Sequence, residues 1–165
     1  MNEVLQAIAD RRSIRSYKDI PVTDAQLEAL MQAAVQSPSA VNRQPYHFTF
    51  VRSRDILAEF SRAADSDTDI LRGAPLVCFI FCNETGVYPP IDSGIAVENL
   101  ALAAHSLGLG SVILGMPREV FNTKPEWYAR LKAPAGMHFA IAIGIGTPAA
   151  GKDAHPVREG LIDVL

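Results

Sequence analysis

Three arginines and a serine fall within five residues near the amino terminus, Arg11-Arg12-Ser13-Ile14-Arg15. Guanidinium groups bind phosphate through paired, charge-assisted hydrogen bonds, and a hydroxyl adds another donor. The cluster therefore suits a dianionic phosphate. Standing just after a helix, the same cations could instead be a solvated group favoured by its C-terminal dipole. Spacing alone leaves both readings open. A second stretch, Ser37-Pro38-Ser39-Ala40-Val41-Asn42-Arg43-Gln44-Pro45-Tyr46-His47-Phe48, is dense in side chains that both donate and accept hydrogen bonds. Such an inventory can grip a pyrimidine edge or a polyol chain, and two prolines stiffen it; it would equally serve as an ordinary helix-to-strand loop.

The other reactive residue types offer less. Cys78 and Cys82 share one face of an extended strand but sit ~13 Å apart there, too far for a disulfide. They read as buried thiols of a core strand. The histidines at 47, 105, 138 and 155 include no pair at the spacing of a helical ligand pair, so no metal centre is expected.

The elements that must position these groups follow from periodicity. Residues 2–10 read as a short helix with Val4, Leu5 and Ile8 on one side. Thr23 opens a second through a capping box with Gln26, and Leu27, Leu30, Met31, Ala34 and Val35 recur at helical spacing. A strand is expected at Phe48, Phe50 and Val51, a helix over 55–64 and a polar connection over 66–72. Residues 76–82 are continuously apolar, as in a strand covered on both faces. Asp92 or Ser93 offers an N-cap for a helix reaching Leu107, with Gly108 as its C′ residue. That helix is apolar nearly all round and must be buried on several sides, which is difficult in so small a monomer. A short strand over 112–114, broken helix over 118–131 around Pro125, and a buried strand over 139–145 complete the order. Residues 147–165 carry too much Gly and Pro for helix and read as an extended arm. The expected class is α+β, one domain over 1–165 in which a central mixed or antiparallel sheet is flanked by helices.

Bulk properties agree. The chain has 165 residues, 48% hydrophobic and 20% charged, enough for a compact core that buries roughly 70% of the unfolded surface. A net charge of −3 excludes the basic excess of nucleic-acid binders. No apolar run approaches the roughly 20 residues that span a bilayer. The amphipathic start lacks signal-peptide order, so a soluble cytoplasmic protein with no membrane or nucleic-acid partner is expected.

Four motifs then come together. The segments RRSIRSY, SPSAVNRQPYHF and DSGIAVENLALAAHSLGLGS, followed by Pro156-Val157-Arg158, resemble the nitroreductase family in order and approximate spacing, over about residues 3–160. The resemblance implies a helix-flanked sheet in an intertwined homodimer, with FMN (flavin mononucleotide) at the interface and touched by both subunits. It also implies hydride transfer from NAD(P)H, by a ping-pong mechanism, to a small electron-poor acceptor such as a nitroaromatic or quinone. No catalytic side chain of the usual kind is then needed.

Carried over by position, Arg11, Arg12 and Ser13 would hold the phosphate and ribityl chain, and Arg158 would return to the phosphate. Arg15 would reach the N1–O2 edge of the ring, where a fixed cation favours hydride uptake. Pro38, Ser39, Ala40 and Asn42 of the other subunit would line the ring. Ile113, Leu114 and Gly115 would lie against its opposite face, with the Gly115 N–H near N5. The chain is shorter than many members, compact over 64–72 and sparing of inserted helices between Gly115 and Phe139, and it has Tyr46 where Trp is frequent. These departures leave the acceptor open. Other flavin reactions, such as dehalogenation, ene reduction or azoline oxidation, remain alternatives, as do a flavin-binding or redox-partner protein with little turnover and a domain binding some other phosphate.

Overall fold

The computed structural model describes residues 2–83, 86–154 and 156–165. In chain order the elements are α1 (Glu3–Asp10), α2 (Asp24–Val35), a 3-10 turn (Ala40–Asn42), β1 (Tyr46–Val51), α3 (Arg54–Ala63), β2 (Leu76–Asn83), α4 (Tyr88–Ser106), β3 (Gly110–Leu114), α5 (Pro117–Thr123), α6 (Glu126–Arg130) and β4 (Met137–Gly146). The strands form one sheet in the order β1-β2-β4-β3, antiparallel at every neighbouring pair.

β2 explains the two-sided core. Val77, Phe79 and Phe81 alternate into a cluster with Phe60 of α3, Phe121 of α5 and Trp127 of α6. Leu76, Cys78 and Ile80 point the other way, against Leu30 and Ala34 of α2 and Val97, Leu100 and Ala104 of α4. Period-two alternation thus feeds two apolar layers from one continuous run. Phe60 sets the first layer, edge-on to Phe79 at 4.9 Å and to Trp127 at 5.0 Å. Both cysteines are buried in β2 without a disulfide, and burial raises the Cys78 thiol pKa well above its ordinary value.

Helix ends are chemically determined. Asn2 caps α1 by accepting from Leu5 N–H, and Thr23 and Gln26 form the reciprocal box of α2. At the end of α4, Gly108 N–H donates to His105 O and Leu109 N–H to Ala104 O, with Gly108 at φ +73°. This is a Schellman ending that glycine adopts at no steric cost.

The start of α4 differs from expectation. It begins at Tyr88, with Pro89 and Pro90 in the first turn, where a missing N–H costs nothing. Asp92 and Ser93 are therefore not its N-cap but lie buried inside the helix. The connection over 66–72 is also less polar in effect than in composition. The Asp69 carboxylate accepts from Ser61 Oγ (2.6 Å), Leu71 N–H (2.9 Å) and Gly73 N–H (2.6 Å), and this closed turn directs Ile70 and Leu71 into the core.

The segment after α1 lies along β3. Ile14 N–H donates to Ser111 O at 2.8 Å, and Ser13 bridges Ser111 in parallel, the only parallel pairing among the described residues. Tyr17 ties the segment to β4, its hydroxyl donating to Ile14 O at 2.8 Å and to Gly144 O at 3.1 Å. Burial pushes that hydroxyl's pKa far above its ordinary value, so it stays a donor. The approach requires a bare backbone at Gly110, where a Cβ would stand 2.7 Å from Ile14 Cγ1 and 2.9 Å from Pro148 Cγ. Gly110→Ala is expected to cost about 1–3 kcal/mol through this overpacking. Thermal unfolding followed by circular dichroism measures it, and an unchanged Tm would show that the two segments are not in contact.

Candidate functional site

β3 is the spine of the candidate site. At its beginning, Arg11 and Arg12 border a cleft of about 190 Å³ together with Gly110, Ser111, Pro148 and Gly151. Arg12 Nη1 donates to Ala9 O (2.7 Å) and Arg11 O (2.9 Å), so this side chain does close the end of α1 as the helix-dipole reading expects. The Nε atoms of both arginines are nonetheless buried without a hydrogen-bond partner. Arg11 Nε faces Glu98 Oε1 of α4 at 3.1 Å in an ion pair that is not aligned as a hydrogen bond. Buried cationic donors left unsatisfied fit an anion in the cleft. Ser13 is half-buried beside them through its bridge to Ser111. Arg15 is exposed, its Nη1 3.4 Å from Ser13 O.

At the other end of β3, Ile113 faces outward, 39% exposed, into a cavity of about 390 Å³ shared with Pro90, Gly94 and Val97 of α4. Leu114 alternates inward and is buried with Phe121 and Ala142. Gly115 is exposed, with open space around it. From Ser111 to Gly115 the chain runs ~13 Å, so one strand joins the arginine cleft to the cavity at Ile113.

The loop before β1 is held by α4 at two points. Ala40 N–H donates to the buried Asp92 carboxylate at 3.2 and 3.3 Å, and Asn99 Nδ2 donates to Ser37 Oγ at 3.0 Å. Tyr46 adds a third tie, its hydroxyl donating to Ser37 O at 2.7 Å, and burial raises the pKa of that hydroxyl. Within the loop, Gln44 N–H donates to Ser39 Oγ (2.8 Å) and Gln44 Nε2 to Asn42 Oδ1 (3.0 Å). Val41, Asn42 and Gln44 take φ of +47°, +54° and +48°, a left-handed conformation uncommon for a β-branched residue such as Val41. Pro38, Val41 and Asn42 are exposed, and Ser39 and Ala40 half-buried.

Within one chain these groups do not all meet. Ala40 borders a separate cavity with Tyr88, Pro89 and Asp92, away from the arginine cleft. Arg158 is exposed in the terminal arm and lines neither of the cavities along β3. Of the histidines, His155 lies outside the described residues.

Sequence reasoning passed over Glu98, Asn99 and the role of Asp92. The available signal was two carboxylates and an amide in the middle of a helix otherwise largely apolar, since a buried carboxylate demands a partner. Asp92→Ala leaves the Ala40 N–H unpaired and is expected to cost about 1–3 kcal/mol. Hydrogen–deuterium exchange should quicken over 38–44, and less so in Asp92→Asn, which keeps an acceptor; equal protection in all three proteins would remove Asp92 as the anchor.

Comparison with known proteins gives consistent matches. The profile of the nitroreductase family matches residues 8–70 and 62–145. A protein of Archaeoglobus fulgidus, provisionally named NADH dehydrogenase/NAD(P)H nitroreductase, is 39% identical, covering 96% of this chain and 93% of its own length. An FMN reductase [NAD(P)H] of Bacillus subtilis is 30% identical over 90% of this chain and 67% of its own. A solved nitroreductase with bound FMN, from Desulfitobacterium hafniense, superposes with a TM-score of 0.93 at 27% identity, covering 100% of this chain and 99% of that one.

Proposed function

The chain belongs to the nitroreductase family, and from that premise we propose that it is an FMN-dependent oxidoreductase carrying hydride from NAD(P)H to a small electron-poor acceptor. The observation that carries this reading is the cleft at the start of β3, where Arg11 and Arg12 stand together beside Ser111 and the buried Nε of Arg12 has no hydrogen-bond partner. FMN held there by Arg11, Arg12 and Ser13 would supply the two-electron redox chemistry that links NAD(P)H to a nitroaromatic, quinone or similar acceptor by a ping-pong mechanism.

The chain's own residues bind and orient. Arg11, Arg12 and Ser13 hold the phosphate and the start of the ribityl chain, and Arg158 closes on the same phosphate. Arg15 brings a fixed cation to the N1–O2 edge. Ile113 supplies an apolar face that excludes water from one side of the ring, and the backbone of Leu114 and Gly115 faces the ring's reacting edge. Pro38, Ser39, Ala40 and Asn42 come from a second copy, which answers their separation from Arg11 within one chain.

A homodimer is part of this reading. Ile91, Ile95, Leu102 and His105 of α4 recur with Glu98 at alternating three- and four-residue steps, a stripe suited to packing against another helix. Ile91 and Ile95 are exposed, as are Val4, Leu5 and Ile8 of α1. Val157, Leu161, Ile162 and Val164 of the arm are exposed too, and a second copy gives them a surface to strap. The reading keeps residues 1–165 as one domain in the cytoplasm. Among the described residues no helix is long and apolar enough to cross a membrane.

The purified protein should be yellow, with absorption near about 370 and 450 nm as oxidised flavins show, and NADH or NADPH should bleach it without oxygen. A protein that stays colourless after incubation with FMN overturns the proposal, whereas colour that neither nicotinamide bleaches would make it a flavin carrier instead. Arg11→Ala combined with Arg158→Ala should weaken FMN retention by about 3 kcal/mol or more; undiminished retention through a desalting column would clear both residues of phosphate binding. Light scattering should give twice the chain mass, and a flavin-loaded monomer would contradict the shared site.

A further inference from the structure

We infer that Glu98 is a positioning residue of the phosphate site, holding the Arg11 guanidinium by its Nε edge so that the terminal nitrogens face the cleft. The inference rests on the flavin reading above and deepens it. Arg12 is drawn toward carbonyl oxygens at the end of α1, at 2.7 and 2.9 Å, which leaves Arg11 as the buried arginine whose fork is not committed to the backbone. Its ion-pair partner is Glu98, 3.1 Å from Nε, with the side chains 24% and 44% exposed. An arginine has five donors in a rigid plane, so occupying the Nε edge with a carboxylate fixes the orientation of the other two nitrogens.

Glu98 is also out of character with its place. It interrupts the stripe formed by Ile91, Ile95 and Leu102, where an apolar residue would extend the packing surface. A carboxylate there is offset by the cation beside it. The pairing is electrostatic rather than an aligned hydrogen bond, so the charge of Glu98, and not merely its shape, is what orients Arg11. Glu98 does not itself line the cleft that Arg11 borders, so it meets an anion there only through the guanidinium.

The test compares FMN with riboflavin, which has the same ring and no phosphate, by fluorescence titration of flavin-stripped protein. Glu98→Gln keeps the size of the side chain and removes its charge. It should reduce the preference for FMN over riboflavin about five- to tenfold, leave riboflavin affinity and Tm unchanged, and have no further effect when Arg11 is already Ala. An unchanged preference, a stronger one, or an equal effect in the Arg11→Ala background would overturn the inference. If the unaltered protein binds riboflavin as tightly as FMN, the phosphate site itself fails, which separates that result from a failure of Glu98 alone.

Discussion

Ser13 and Ile14 can meet β3, and residues 16–18 can pair with 147–149, only because Gly110 presents no side chain to Ile14 and Pro148. Much else depends on that contact. It pairs the outer edge of β3 at one point, Ser111, whose carbonyl accepts from Ile14 N–H. It also fixes the end of α1, and with it the direction in which Arg11 and Arg12 leave the helix. Tyr17 makes the same arrangement rigid from β4, its buried hydroxyl spanning two carbonyl oxygens. The arginine cluster is thus placed by sheet geometry rather than by its own charges, which would otherwise drive the side chains toward solvent.

α4 contributes the second constraint. A long helix with apolar residues on most of its faces is usual in a buried setting, yet this one carries Asp92, Glu98 and Asn99, turned to two other segments. Asp92 and Asn99 anchor the loop before β1, and Glu98 faces the end of α1. Buried and half-buried polar groups of this kind contribute little net stability but penalise arrangements that leave them unpaired. Here they select one geometry for two segments that share no cavity within a single chain.

What could be read from the residues, and what could not, divides along the range of the interactions. The Thr23–Gln26 box, the ending at Gly108 and the doubly covered run over 76–82 are local, and the structure contains all three. The N-terminus of α4 was misjudged because Asp92 and Ser93 have the side chains of a cap. Their actual partners are Ala40, a loop residue 52 positions away, and Pro89, one turn back, while the prolines that open the helix carry no side-chain cap signal at all. Ile70 and Leu71 were hidden among polar neighbours because the Asp69 turn that inverts them is closed by backbone N–H groups. The motifs pointed to the arginines, the loop and β3 as chemical segments. The Glu98 pairing was invisible, since nothing in a linear pattern says which acid a given arginine will meet. Within one chain the loop and the arginines border separate cavities, and nothing in their sequence says so.

The terminal arm has a consequence for where the chain can be cut. Every described residue from Gly151 onward is exposed, including Val157, Ile162 and Val164, while the sheet is already complete at Gly146. The arm therefore adds little to the cooperative unit that β1 to β4 form, and it is the stretch a protease can reach without opening the sheet.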